Sequence, residues 1–139
     1  MTAIRRAAAR DCAGIFPLAK LFATSFVVER PAFDSSFRAL LQSPDAFLAV
    51  AVREDQVVGY LLGFDHHTFF ANGRVAWVEE IMVAEDRRRH GSGRRLMAAF
   101  EEWAKERQSR LVALATRRAA PFYRSLGYEE SANYFRKLL

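Results

Sequence analysis

Apolar residues recur along this chain with two periods, and the changes from one to the other mark out its elements. Residues 3–6 read as a short first strand. Ile15, Leu18, Leu21 and Phe22 then share one stripe at helical spacing after Asp11, which is suited to capping a helix start; Pro17 fits that helix only near its first turn. Phe37, Leu40 and Leu41 mark a second helix over about 34–42, ending before Pro44. Residues 47–53 and 56–64 are apolar runs of strand length joined at Glu54-Asp55, an antiparallel pair with a tight turn. Past an ambiguous stretch at 65–70 and a turn at Ala71-Asn72-Gly73, a strand is predicted over 75–84.

The period then returns to that of a helix. Leu96, Met97, Phe100, Trp103 and Ala104 fall on one face of a segment from about 92 to 108, with Arg94, Arg95, Glu101, Glu102, Lys105 and Glu106 on the others. A strand at 111–115 follows, and the strand–helix–strand crossover sets it parallel to strand 75–84. A short helix over 119–126 and two strands around 128–131 and 134–138 close the chain. The expected architecture is α/β (α+β): a mixed, mostly antiparallel twisted sheet of six to seven strands with about four helices on both faces. No linker, repeat or low-complexity stretch divides it, so residues 1–139 read as a single domain.

Composition narrows the class. With 139 residues, 51% hydrophobic and 13% aromatic, the chain can bury a core and is not disordered. Its longest apolar runs, FLAVAV and VVGYLLGF, fall well short of the roughly 20 residues that cross a bilayer, so no membrane partner is expected. The first residues include an aspartate and lack a sustained apolar core, so no signal peptide is expected and a cytoplasmic location is. Cys12 stands alone and reads as a small apolar residue, and the three histidines lack metal-ligand spacing, so no metal site is expected.

A net charge of +5 favours an anionic ligand, and the placement of the arginines says where it would bind. Positions 87–89, 94 and 95 lie in a loop that joins strand 75–84 to a helix, and the loop carries Gly91 and Gly93. Unpaired N–H groups and the positive end of the helix dipole face outward from such a junction, which suits a phosphate. The glycines leave no Cβ in the way of it. Arg87, Arg88, Arg89, Arg94 and Arg95 cost stability at that end of a helix unless an anion sits among them, although a solvated basic turn would look the same in sequence.

Arg88-Arg89-His90-Gly91-Ser92-Gly93 resembles the acyl-CoA signature of the GNAT acetyltransferase superfamily, Gln/Arg-x-x-Gly-x-Gly/Ala. Further on, Thr116, Ala119, Tyr123, Gly127 and Tyr128 resemble its second signature, Asn-x-x-Ala-x-x-x-Tyr-x-x-x-Gly-Phe/Tyr, with threonine in place of the asparagine. The two stand in the family's order, one helix and one strand apart. The resemblance implies acetyl transfer from acetyl-CoA to an amine by direct attack. It implies that Ile81, Met82 and Val83 bond the pantetheine arm in a gap between splayed strands. It further implies that Arg88, Arg89, His90, Gly91, Ser92, Gly93 and Arg94 hold the diphosphate, that Tyr123 protonates the departing thiolate, and that Thr116 takes the asparagine's contact. Dimerisation is common in the family, so a homodimer is a further expectation from the resemblance.

Direct attack needs a neutral amine, whereas free alkylamines are mostly protonated at pH 7. Glu79 and Glu80 stand in the middle of an apolar strand, where a carboxylate is costly without a task or a partner. Alternation puts Glu79 on the side of Ile81 and Val83, and Glu80 on the side of Met82. The run Trp77 to Val83 is similar to one in polyamine acetyltransferases whose first acid is a proposed base. Glu79 is therefore the expected base and Glu80 the acid that attracts a cationic amine, unless either pairs with an arginine. His66, beside His67 at the end of its strand, is a further candidate for the acceptor pocket. Arg117 and Arg118 read equally as phosphate contacts or a solvated helix start. The acceptor would be an amine of a small molecule or peptide. Two other readings compete: a non-catalytic acyl-CoA sensor, which would bind without turnover, and a basic nucleic-acid-binding module, which would show steep salt dependence. No helix-turn-helix, RNA-recognition or zinc-finger pattern supports the last.

Overall fold

In the computed structural model, which describes residues 1–88 and 90–139, five strands lie in one sheet in chain order. β1 (Thr2–Arg6), β2 (Ala46–Arg53), β3 (Gln56–Thr68) and β4 (Gly73–Val83) are mutually antiparallel, and β5 (Val112–Leu114) runs parallel to β4. Glu54 and Asp55 both have positive φ, 52° and 63°, the hairpin turn whose twist matches that of the strands it joins. β3 extends through the ambiguous stretch as far as Thr68, opposite Gly73.

Two helices cover each face. α1 (Cys12–Phe22) and α2 (Arg30–Gln42) pack on Leu48, Val50, Tyr60 and Leu62; α3 (Ser92–Glu106) and α4 (Ala120–Ser125) pack on Phe47, Ala49, Leu61 and Val78. Burial on both faces is why β2 and β3 read as continuous apolar runs. α2 begins four residues before the position its apolar stripe suggests, with Pro31 pre-set for the first turn. Asp11 does not cap α1. It accepts the Ala8 N–H at 2.7 Å and a bidentate pair from Arg5, which holds its carboxyl below the usual carboxylate range. Pro17 lies inside α1, beyond the first turn, at the cost of one helical hydrogen bond. Among the described residues no helix is long and apolar enough to cross a membrane.

The strand count is lower than the six to seven expected. No strand forms at 128–131 or 134–138: Tyr128 is half-buried, and every residue from 129 to 139 is exposed and outside the sheet. A segment of strand length becomes a strand only when a neighbour takes its hydrogen bonds.

At the far end of the sheet an ion cluster that sequence patterning did not suggest fixes α3. The Asp65 side chain, fully buried on β3, accepts from Arg74 at 2.9 Å and from Arg107, just beyond α3, through Nη2 at 2.9 Å and Nε. Exposed Asp45 takes a second bond from Arg107 at 2.6 Å. Asp65→Ala would leave two guanidinium groups facing a hole. We expect a loss of about 3 kcal/mol in chemical denaturation, the low end for a broken buried pair because both arginines keep contact with water.

Candidate functional site

β4 and β5 are paired only from Ala76 opposite Val112 to Val78 opposite Leu114. β4 continues to Val83 without that neighbour, so residues 79–83 border a gap on the β5 side. Peptide groups alternate in direction along a strand, so some of the N–H and C=O groups of this stretch point into the gap. The departure begins at a bulge. Leu62 faces Glu80 while Gly63 faces Val78, which leaves Glu79 as the extra residue of β4 and bends the strand there. Gly63 is obligatory opposite the bulge, because a Cβ would stand 2.3 Å from Phe100 Cε1.

The gap leads to the start of α3. Ala84 N–H donates to Val58 O at 2.7 Å, a single 3-10 turn spans Glu85–Arg87, and Gly91 takes φ 83° as the residue before the helix. Among the described residues no side chain caps α3 and its first turn holds no acid, so the first N–H groups lack a side-chain acceptor there and the positive end of the dipole is uncompensated by an acid. A Cβ on Gly91 would meet no atom of the described residues within 4 Å and would project into open space at the helix start. Gly93 has a different reason to be glycine, since its Cβ would press against Phe122 Cζ at 3.3 Å. Ser92 is buried between them.

The arginines divide by task. Arg88 folds back so that its Nε donates to Val83 O at 3.1 Å, and Arg95 donates to Thr2 O, tying α3 to β1. Among the described residues none of Arg87, Arg88, Arg94 and Arg95 makes an ion pair with a carboxylate. His90 is exposed in the loop, and Arg89 lies outside the described residues. Arg94 lines a cleft of about 210 Å³ between α3 and α4, with Met97, Ala98, Glu101, Ser125 and Leu126. A larger hollow, lined by Arg5, Arg10 and Gly14 among others, lies beside β1, at the opposite edge of the sheet from the gap.

α4 closes the site from the other side. Thr116 Oγ1 accepts the Ala119 N–H at 3.0 Å, which shapes the turn into α4 and leaves the hydroxyl proton free to donate. Phe122 rests against Gly93, and Tyr123 beside it is buried, its ring edge-on to Phe122 and Tyr128. Tyr128 anchors this corner by donating to Glu101 Oε2 at 2.6 Å. Burial raises the Tyr123 pKa, so the phenol keeps its proton at neutral pH, and its hydroxyl has no hydrogen-bond partner among the described residues. Among the described residues it is a protonated donor without an acceptor.

The two acids differ in a way that alternation did not foretell. Glu79, at the bulge, is exposed. Glu80 is half-buried on the α1–α2 face and accepts the Tyr60 O–H at 2.7 Å. Burial pushes the Glu80 carboxyl above the usual carboxylate range and the neighbouring Glu79 charge adds to this, while the Tyr60 hydrogen bond opposes both. Tyr60, itself fully buried, is shifted upward by desolvation and by Glu80, so it only donates. Tyr60 was invisible as a site residue in VVGYLLGF, because only the cross-strand register brings it to the acid. His66 is not brought to this place: it pairs opposite Val75, six residues along β3 from Tyr60, roughly 20 Å at the rise of a strand. Cys12 donates its thiol to Asp34 at 3.3 Å on the helical face.

The acetyltransferase (GNAT) family model matches residues 15–128. An aminoalkylphosphonate N-acetyltransferase of Salmonella typhimurium is 33% identical over 113 residues, 78% of this chain and 73% of that protein. Among solved structures, a transcriptional regulator from Bacillus halodurans C-125 has TM-score 0.87 at 23% identity over all of both chains. An aminoglycoside N-acetyltransferase solved with CoA has TM-score 0.85 at 21% identity, covering 99% of this chain and 95% of that one. At these identities the two structures speak for a shared fold.

Proposed function

The chain belongs to the acetyltransferase (GNAT) family, and we propose that within it this protein moves an acetyl group from acetyl-CoA to a primary amine of a small molecule or peptide. The observation that carries the reading is the gap along residues 79–83 of β4, which opens onto the uncapped, glycine-lined start of α3. A long ligand with amide groups at one end and phosphates at the other fits both. Backbone groups of Ile81, Met82 and Val83 would bond the pantetheine. The N–H groups around Gly91, Ser92 and Gly93, with Arg88, Arg94, His90 and Arg89, would hold the diphosphate. Thr116 would donate its free hydroxyl proton at the gap. Bound there, acetyl-CoA supplies an acetyl group activated as a thioester.

The remaining chemistry is proton management. Only about one alkylamine in 10³ is neutral at pH 7, so the acceptor has to lose a proton before it attacks. Glu80 suits that task better than Glu79, the first acid of the run, because its environment raises its basicity towards the working pH while Glu79 stays in water. Glu79 would add negative charge that attracts a cationic amine. Tyr123, buried and protonated, would donate to the thiolate that departs.

Tyr60 acts through Glu80 as a positioning residue. Its hydrogen bond favours the carboxylate, so Tyr60→Phe should shift the acidic limb of the kcat/KM profile upward, towards neutral pH, with the fold retained. A limb that stays in place would show that the hydroxyl does not tune the acid.

The reading as a whole is tested by amine-dependent thiol release from acetyl-CoA. The acceptor panel should hold an aminoalkylphosphonate and an aminoglycoside, as the relatives' names suggest, together with a polyamine and a lysine peptide. Turnover with one of these and release of free CoA is the expected result; tight acetyl-CoA binding with no turnover on any amine would instead favour a sensor.

A further inference from the structure

Arg88 opens the glycine loop, yet its side chain turns back to the strand before it. The single 3-10 turn at Glu85–Arg87, closed by the Arg87 N–H on Ala84 O at 2.8 Å, folds the chain over the end of β4. From there the Arg88 Nε donates to Val83 O at 3.1 Å, and its Nη2 stands 3.9 Å from Met82 Sδ.

The carbonyl that Arg88 takes is one that faces the gap. In a trans peptide unit the C=O and the N–H that follows it point in opposite directions. The Ala84 N–H goes to Val58 O on β3, at 2.7 Å, so the Val83 C=O of the same unit points away from β3, to the side where this end of β4 has no partner strand. An acceptor suited to the amide of an acyl arm is thus filled by the protein's own cation. A carbonyl has a second lone pair, but the guanidinium lies along the strand from Val83 O to Met82 Sδ and is itself an obstacle to another donor there.

We propose that Arg88 serves two positions in turn: it closes the acyl-arm end of the cleft by holding Val83 O, and it moves to the diphosphate when acetyl-CoA binds. The inference rests on the reading of the gap as an acyl-CoA site, and what it adds is the Val83 position and the competition there. An arginine suits the exchange. Its charge is permanent, and a phosphate that accepts from a planar guanidinium is a stronger partner than one exposed carbonyl. The two parts of the ligand then assist each other, because a phosphate at the start of α3 removes the obstacle at Val83. Such coupling is reciprocal.

Acetyl-pantetheine, the acyl arm without phosphates, separates this role from that of a plain phosphate contact. In isothermal titration Arg88→Ala should bind acetyl-pantetheine about 2- to 10-fold more tightly than the unaltered protein, the worth of one hydrogen bond. The same variant should bind acetyl-CoA about 10-fold more weakly, having lost a charge-assisted contact. Inorganic pyrophosphate should tighten acetyl-pantetheine binding to the unaltered protein and leave binding to Arg88→Ala unchanged. Arg88 is exposed, so the variant should fold, with its melting temperature little altered. Equal affinity of the two proteins for acetyl-pantetheine, or no effect of pyrophosphate, would show that Arg88 contacts phosphate only. Weaker binding of both ligands by the variant would show that it merely supports the strand end. Either result overturns the proposal and leaves the acetyl-CoA site standing, whereas an unaltered protein that binds neither ligand would overturn both.

Discussion

Glu80→Gln should lower kcat with the preferred amine by about 10²- to 10⁴-fold at pH 7 and flatten the acidic side of the rate profile. The substitution keeps the shape and the Tyr60 contact, because the amide oxygen still accepts, but removes the proton-accepting charge. In the unsubstituted enzyme the rate should fall as the pH drops through the raised Glu80 pKa, since protonation leaves the amine with no base. The midpoint should therefore lie above the ordinary carboxylate range. Glu79→Gln should have a smaller effect, confined to KM for cationic acceptors. If Glu79→Gln carried the large loss and Glu80→Gln the small one, the assignment of the base would be reversed. Tyr123→Phe complements this pair: it should lower kcat at every pH, with no limb of its own, because burial keeps the phenol's titration above the working range.

Gly91→Val should weaken acetyl-CoA binding by about 100-fold or more in isothermal titration, equivalent to one or two charge-assisted hydrogen bonds. Two effects combine. Gly91 has φ 83°, which a β-branched residue adopts only at a cost of about 1–2 kcal/mol. The added side chain also projects into the open space where the phosphate would lie. Because its Cβ would meet no atom of the described residues within 4 Å, the variant should fold, with stability reduced chiefly by the backbone strain. Unchanged affinity would mean that the phosphates bind elsewhere.

Most of this site was legible in the residues themselves because its parts are local. The glycine loop, the arginines and the helix they precede are contiguous, and so are Thr116, Ala119 and Tyr123 around α4. Their meaning depends only on a strand being followed by a helix, which apolar periodicity reveals. What depends on register was not legible. The bulge that expels Glu79 and the pairing that sets Tyr60 on Glu80 arise where β3 meets β4, and one inserted residue changes which side chain faces which helix layer. Asp65 joins Arg74 and Arg107 across 42 positions of chain, and nothing in a run such as LLGFDHHT marks that aspartate as buried. The expected strands at 128–131 and 134–138 are absent because whether a segment pairs depends on where an open edge stands, and among the described residues neither segment pairs with a strand.

On the proposed reading, the gap beside β4 and the start of α3 form an acetyl-CoA site. The most direct test is the melting temperature of the unaltered protein with and without acetyl-CoA. At a hundredfold excess over Kd, mass action adds about 2.7 kcal/mol, which for a domain of this size is a rise of roughly 5 to 10 °C. A rise of that order, absent in Gly91→Val, is the predicted result. A melting temperature that does not move at millimolar acetyl-CoA would contradict the claim.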